Sequence, residues 1–240
     1  MLAAASWPDR NEVQVFVADA RAIGADRDRI AEALRWMPAA ERARFEQFRH
    51  DDDRMMFAVG RLMARTLVGR ALSVDPSAWA WREGPHGRPE IDQAHTDLRF
   101  NLSHSAGLVI CALARDREIG VDVEDLTRRA PDPAIVPRYC SPAEADDVRA
   151  HGDRWRDRFL TYWTLKEAYV KARGVGISVP LSEISFTLDA PGARIAFAGS
   201  LTGTDPRWAF HLWHAGATHL AAVAAHAADG VAPTFLVQPF

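Results

Sequence analysis

The chain has 240 residues, of which 48% are hydrophobic and 25% charged, as in ordinary folded proteins. This composition excludes a disordered or collagen-like chain, and two cysteines are too few for a disulfide scaffold. The net charge of −3 creates no overall positive field for nucleic acid or an anionic membrane, so an anionic ligand would need a local basic cluster. No apolar run reaches the roughly 18 residues that span a bilayer, and the N-terminus lacks the basic region of a signal peptide. We therefore expect a cytoplasmic protein.

The first half of the chain predicts helices followed by strands. A strand is expected at 13–19, and Asp26 is placed to cap a helix that ends before Pro38. Further helices begin near Ala39 and after 51–53, where apolar residues recur at helical spacing. The pattern then shortens, and strands are predicted at 79–83, 98–102, 108–114 and 119–124.

The second half repeats this order of helices before strands. Ser141 and Pro142 form a cap and first-turn pair, and 154–172 is the strongest predicted helix of this half. Strands are predicted at 183–188, 195–198, 208–213 and 220–225. Helices followed by strands are typical of an α+β protein. We expect an N-terminal half, 1–115, and a C-terminal half, 116–240.

The lysines of this chain are concentrated in one segment. Of the 29 basic residues, 27 are arginine and only Lys166 and Lys171 are lysine. A solvated surface position accepts either residue, whereas a compact ammonium is needed only at particular sites. Chance and helical salt bridging could also explain the pair, but both lysines lie within one and a half helical turns. A special role for this segment is therefore the favoured interpretation.

Three carboxylates near that segment suggest a site. Asp122 and Glu124 lie two residues apart on a predicted strand, so they share one face. Glu167 and Lys171, at i and i+4, share one face of the helix. Each pair alone is more often a solvent-facing strand end or a surface helix pair. If the helix crosses the strand, three carboxylates and an ammonium converge, a set that suits a hard cation such as Mg²⁺ with phosphate oxygens.

Other candidate groups lie in the first half of the chain. His104 stands between Ser103 and Ser105 at a strand end, where it could donate to a phosphate. We reject a serine hydrolase, because Gly-x-Ser-x-Gly is absent and triad residues are rarely neighbours in sequence. Arg88 lies in a tight loop and Arg44 on a helix; each alone is usually a solvated charge.

Taken together, these motifs resemble the 4'-phosphopantetheinyl transferases of the larger, surfactin-synthetase-activating type. The resemblance covers roughly residues 38–225 and is carried by Gly87-Arg-Pro89, Phe100-Asn-Leu-Ser-His-Ser105, Gly120-Val-Asp-Val-Glu124 and Trp163-Thr-Leu-Lys-Glu-Ala-Tyr-Val-Lys171. It implies two similar α+β halves related by a pseudo-twofold axis, with coenzyme A bound between them. The length of the chain suggests a monomer by resemblance only.

The resemblance also implies a reaction and residue roles. The serine hydroxyl of an apo acyl or peptidyl carrier protein would attack the phosphate bonded to pantetheine and release 3',5'-ADP. Asp122, Glu124 and Glu167 would bind Mg²⁺, and Asp122, Glu167 and Lys171 would be catalytic. Lys171 would stabilise or protonate the departing phosphate. Either Glu167 or a metal-bound water would deprotonate the serine.

Coenzyme A contacts are implied for five residues, namely Arg44, Arg88, Ser103, His104 and Lys171. The early helix departs from the family pattern, since a pair of basic residues is common there and this chain has Glu41 and Arg44, with Arg42 beside them. The loop has Gly-Arg-Pro where Gly-Lys-Pro is common, which the arginine bias explains. Glu144 matches an acidic position sometimes implicated near the metal.

The implied partner is a small, acidic, helical carrier protein of fatty acid, polyketide or nonribosomal peptide biosynthesis, with neither nucleic acid nor membrane involved. Because this chain is itself acidic, docking would need a local patch, to which Arg128 and Arg129 could contribute. Two alternatives stand beside transfer: a non-catalytic module that binds coenzyme A or a carrier, and a metal-dependent phosphohydrolase.

Overall fold

A computed structural model describes residues 7–84, 87–92, 96–129, 131–189, 192–227 and 230–240, apart from the side chain of residue 177. Residues 85 and 86 of the predicted loop before Arg88 fall outside this set. No helix in these ranges is both long and apolar enough to cross a membrane.

The described residues form seven α-helices and eleven β-strands. The helices are α1 (Ala20–Gly24), α2 (Arg27–Trp36), α3 (Ala39–Gln47), α4 (Asp51–Leu72), α5 (Val136–Tyr139), α6 (Pro142–Ala150) and α7 (Trp155–Arg173). The strands are β1 (Glu12–Asp19), β2 (Trp81–Glu83), β3 (Pro89–Ile91), β4 (Leu98–Ser105), β5 (Leu108–Arg115), β6 (Ile119–Asp125), β7 (Ile184–Asp189), β8 (Gly192–Phe197), β9 (Trp208–Ala215), β10 (His219–His226) and β11 (Thr234–Pro239).

The chain divides into two compact units, and the first comprises Met1–Arg117 with Thr234–Phe240. Its sheet has the strand order β11-β1-β5-β4, in which β4 and β5 form an antiparallel hairpin. Ala106 and Gly107 at the hairpin turn both have positive φ, the conformation that two-residue hairpins need. Helix α4 packs its apolar face on β4 and β5 and forms the core of this unit.

The second unit, Glu118–Pro233, has a three-stranded antiparallel sheet in the order β6-β10-β9. Strands β7 and β8 form a separate hairpin. Helix α7 packs on β6 and β10, and most of its residues from Phe159 to Ala172 are buried. Helix α6 begins with a capping box, in which Ser141 and Glu144 bind each other's backbone N–H groups.

The α+β class predicted from the sequence is confirmed, and each long predicted helix and strand is present with ends shifted by a few residues. The division of the chain differs at two places. The boundary lies at Arg117 rather than 115, and residues 234–240, which we assigned to the C-terminal half, belong to the first unit. The reason is that β11 pairs in parallel with β1, with Thr234 opposite Glu12. Pairing across more than 200 residues leaves no local sequence pattern.

Candidate active site

The site is built on one face of β6. Side chains alternate along a strand, so Gly120, Asp122 and Glu124 point the same way, toward α7. Asp122 is buried and Glu124 is half-buried. Val121 and Val123, on the other face, are also buried. Both faces of β6 are therefore covered, and the two acids lie beneath a helix rather than at an open strand end.

Gly120 allows α7 to lie against the strand backbone. A Cβ at this position would be 2.2 Å from the Ala168 carbonyl oxygen and 2.3 Å from the Ala172 amide nitrogen. Ordinary carbon contacts are about 3.5–4.0 Å, so only glycine fits here. This close packing brings the α7 side chains within reach of the acids on β6.

Three α7 residues spaced four apart face those acids. Lys171 Nζ donates to Asp122 Oδ1 at 2.6 Å, and Trp163 Nε1 donates to Glu124 Oε1 at 2.7 Å. Glu167 lies one turn from each of them on the same helix face. The structure thus brings together Asp122, Glu124, Glu167 and Lys171, as the sequence spacing predicts if helix and strand cross.

The crowded negative charge raises the pKa values of two of the acids. Burial is the largest cause at Glu167, followed by the charge of Asp122, and the pKa rises to about 7 although Lys171 opposes the shift. Burial and then the charge of Asp122 also raise the pKa of Glu124, against the hydrogen bond from Trp163. A proton or a cation among these carboxylates would relieve the repulsion.

The donor chemistry of this cluster fits a hard divalent cation. All three acids supply carboxylate oxygens, and Glu167 Oε1 is buried without a hydrogen-bond partner among the described residues. In that part of the chain, however, no group of three or more His, Cys, Asp or Glu side chains is already arranged to hold a metal ion. The chain's own donors, Lys171 and Trp163, engage Asp122 and Glu124 instead.

Four of the five predicted coenzyme A contacts lie in the first unit, and the fifth, Lys171, lies on α7 in the second unit. Ser103 and His104 are successive residues of β4 and so point to opposite faces, with Ser103 buried and His104 exposed. Arg88 is half-buried immediately before β3, and its carbonyl accepts a hydrogen bond from the Gly84 N–H at 2.8 Å, which closes the loop. Arg44 is exposed in the last turn of α3.

Arg44 has a basic neighbour that sequence reasoning missed. The guanidinium groups of Arg44 and Arg61 both lie over the Phe57 ring, at 5.8 and 4.2 Å from its centroid. The family pattern suggests a basic residue where this chain has Glu41. Glu41 pairs with Arg61 at 3.4 Å, so Arg61 offsets its negative charge. This corner of the first unit therefore carries more positive charge than its sequence motif indicates. Phe57 and Arg61 are four residues apart on α4, and this helical spacing is the sequence signal that would have indicated Arg61.

A cavity of about 280 Å³ opens beside Glu124 in the second unit. Arg128, Arg129 and Arg156 contribute its positive charge, and Ile135, Phe159 and Trp163 are among its apolar lining. Arg128 lies close enough to Glu124 to lower the pKa of that carboxyl, although burial dominates. The sequence indicated Arg128 and Arg129, but Arg156 and the apolar lining come from segments distant in sequence.

Two family models match the chain. One, described as the 4'-phosphopantetheinyl transferase superfamily, matches residues 118–225, and another, the N-terminal part of a 4'-phosphopantetheinyl transferase, matches residues 25–116. Together they cover most of both structural units.

Curated relatives agree with these matches. A 4'-phosphopantetheinyl transferase of Bacillus subtilis is 33% identical over 64% of this chain and 67% of its own length. A phosphopantetheinyl transferase of Thraustochytrium is 33% identical over 79% of this chain and 71% of its own. The 4'-phosphopantetheinyl transferase HetI of Nostoc is 36% identical, over 62% and 63%. Among solved structures, the holo-[acyl-carrier-protein] synthase of Thermotoga maritima matches 45% of this chain and 62% of its own, with a TM-score of 0.39 at 19% identity.

Proposed function

This chain belongs to the 4'-phosphopantetheinyl transferase superfamily and is a transferase of that kind, and we propose that it moves the 4'-phosphopantetheine group of coenzyme A to a serine of an apo acyl or peptidyl carrier protein with Mg²⁺ as cofactor. The observation that carries the proposal is the convergence of Asp122, Glu124, Glu167 and Lys171 where α7 crosses β6. Phosphoryl transfer needs positive charge around the phosphate. The three carboxylates could hold a cation that supplies it, and the Lys171 ammonium supplies it directly.

The proposed reaction breaks the phosphoanhydride bond of coenzyme A and forms a phosphoester bond to the carrier serine. The serine oxygen forms a bond to the phosphorus that carries pantetheine, the bond from that phosphorus to the second phosphate breaks, and 3',5'-ADP leaves with the bonding electrons. The serine hydroxyl loses its proton to a base, which is either Glu167 or a water molecule. A bound Mg²⁺ would neutralise charge on the pyrophosphate, and Asp122, Glu124 and Glu167 would hold it.

Lys171 is suited to the leaving phosphate. Its side chain is 29% exposed and its ammonium is held 2.6 Å from Asp122, so the side chain is both oriented and accessible to a ligand. A compact ammonium near developing negative charge stabilises the transition state more than the ground state. In the first unit, the exposed Arg44 suits an anionic part of coenzyme A, with Arg61 beside it paired to Glu41. The exposed His104 and half-buried Arg88 offer further donors.

The carrier protein would dock beside Glu124. The cavity there combines arginines at its rim with apolar side chains, which matches an acidic helix that presents an apolar face. Arg128→Glu together with Arg129→Glu is expected to lower kcat/KM for the carrier about tenfold or more and to leave the KM for coenzyme A unchanged. The exposed Arg194 lies outside this cavity, and Arg194→Glu is the matched control.

Labelling of an apo carrier with a fluorescent coenzyme A analogue tests the function directly. We expect Mg²⁺-dependent labelling that EDTA abolishes and that Glu167→Ala reduces by a factor of about 10³ or more. Asp157→Ala changes an exposed acid in the first turn of the same helix and should label normally.

The mass of the products separates the alternatives. Transfer increases the mass of the carrier by one phosphopantetheine group. A binding module would leave the carrier and coenzyme A intact, and a phosphohydrolase would cleave coenzyme A without any carrier present. Robust labelling by Glu167→Ala would refute the role assigned to this carboxylate.

A further inference from the structure

The other lysine of the chain, Lys166, is buried in an ion pair that the proposed chemistry does not use. Lys166 and Glu144 are each 1% exposed, and their side chains meet at 2.5 Å. Glu144 follows a capping serine on α6, and Lys166 immediately precedes Glu167 on α7. A fully buried ion pair is costly to desolvate and is weak evidence for stability, so its presence calls for another reason.

The geometry around Lys166 explains why a lysine stands here in a chain that otherwise uses arginine. Its ammonium has three N–H donors, and three oxygens accept them: Glu144 Oε2 at 2.5 Å, the Tyr139 carbonyl at 2.8 Å and the Leu181 carbonyl at 2.9 Å. The planar fork of arginine has five donors and cannot satisfy this compact arrangement.

Glu144 extends the same network to two more segments. Its Oε2 accepts from the Ser141 N–H at 2.8 Å, and its Oε1 accepts from the Phe186 N–H at 2.8 Å. Both carboxylate oxygens of Glu144 are therefore engaged by Lys166 and by backbone N–H groups outside the acid cluster on β6. Through this pair, α7 is tied to the end of α5, the start of α6, the turn before β7, and β7 itself.

Helix α7 is thus held from two sides. On one side, Ala168 and Ala172 contact the backbone of β6 at Gly120. On another side, the Lys166 ammonium is fixed by three directional hydrogen bonds. Because successive residues are about 100° apart around a helix, turning α7 to relax the Lys166 bonds would also turn Glu167.

We propose that Lys166 and Glu144 are positioning residues for the transfer reaction, which set the rotation of α7 so that Glu167 and Lys171 face Asp122 and Glu124. This inference rests on the proposed function. Apolar contacts alone would bury α7 equally well but would not fix its angle, since van der Waals packing lacks the directionality of three hydrogen bonds.

The test replaces the pair by apolar side chains of similar size. Lys166→Met or Glu144→Leu alone leaves a buried charge without its partner, so we expect a lower urea midpoint in each single variant. The double variant removes both charges, and its midpoint should recover toward that of the wild type. In that recovered double variant we expect kcat to stay at least tenfold below wild type and the Mg²⁺ concentration for half-maximal rate to rise, with the KM for coenzyme A unchanged.

A purely structural role predicts the opposite result. If stability and kcat recover together in the double variant, the proposal is overturned. Should the double variant fail to fold, Glu144→Gln keeps the volume and one acceptor oxygen, and the same split between kcat and KM is expected at about tenfold. Wild-type kcat and Mg²⁺ dependence in folded Glu144→Gln would also overturn it.

Two controls keep the conclusions separate. Arg149 and Asp146 form an exposed ion pair on α6, so Arg149→Ala should change neither kcat nor the Mg²⁺ dependence. The wild-type protein is assayed first: if it does not modify an apo carrier, the proposed function fails, whereas normal activity of the variants beside an active wild type rejects only the positioning role.

Discussion

The packing of α7 on Gly120 makes Gly120→Ala the most informative single substitution. The added methyl group would stand 2.2 Å from the Ala168 carbonyl oxygen and 2.3 Å from the Ala172 amide nitrogen. Both contacts involve helix backbone, which cannot move aside as a flexible side chain can. To restore an ordinary contact of about 3.5 Å, α7 must retreat from β6 by roughly 1 Å.

That displacement has two measurable consequences. Overpacking of this kind costs about 1–3 kcal/mol, which lowers the Tm of a chain of this size by roughly 2–12 °C. The same shift moves Glu167 and Lys171 away from Asp122, and a misplacement of about 1 Å at reacting groups costs on the order of 10²-fold in rate. We therefore expect a folded but weakly active protein.

Thermal unfolding followed by circular dichroism and carrier labelling at saturating substrate measure the two effects. Gly192→Ala is the matched control: Gly192 also lies on a strand of the second unit, and a Cβ there would meet no described atom within 4 Å. If Gly120→Ala unfolds near the wild-type temperature and labels within threefold of the wild-type rate, the argument that close packing of α7 on β6 assembles the site is refuted.

Three further predictions address single contacts. Trp163→Phe removes the 2.7 Å hydrogen bond to Glu124, so the Mg²⁺ concentration for half-maximal labelling should rise about tenfold; an unchanged titration would contradict the contact's role. Arg44→Ala removes a cation from the pair over Phe57, so the KM for coenzyme A should rise about tenfold or more with little change in kcat, while the exposed Arg35→Ala should leave both unchanged. Burial opposes ionisation of Asp147, but hydrogen bonds from Arg158 and Tyr162 outweigh burial and lower the pKa of this carboxyl. The stability that the ionised Asp147 contributes is therefore present above about pH 4 and is lost as the pH falls through its lower folded-state pKa. Asp147→Asn should therefore destabilise the protein in urea at pH 7 and much less at pH 3, and an equal loss at both would exclude this assignment.

Much of the fold was predictable because the signals are local. Asp26 does cap α2, Ser141 does cap α6, and the apolar period of α4 continues to Leu72. The strand β11 was missed, since it is short, partly exposed and paired with β1 at the other end of the chain. Its partner and not its own pattern decides that it is a strand.

The candidate site divides in the same way. Alternation on β6 and i,i+4 spacing on α7 were sufficient to place Asp122 with Glu124 and Glu167 with Lys171 on shared faces. The sequence could not show that the two faces meet, because this depends on the absence of a side chain at Gly120, whose contacts lie about 50 residues away. Nor did it indicate Trp163 as the partner of Glu124.

The two lysines illustrate where local information ends. By itself, the sequence determined that an arginine-rich chain keeps its only two lysines in one helix, and that this helix therefore deserves a chemical explanation. Only the tertiary structure separated them: Lys171 faces the acids on β6, whereas Lys166 is buried against Glu144. Burial and partner are properties of the packed chain, since the neighbours that cover each helix face decide whether an ammonium is partly exposed beside Asp122 or fully buried against Glu144.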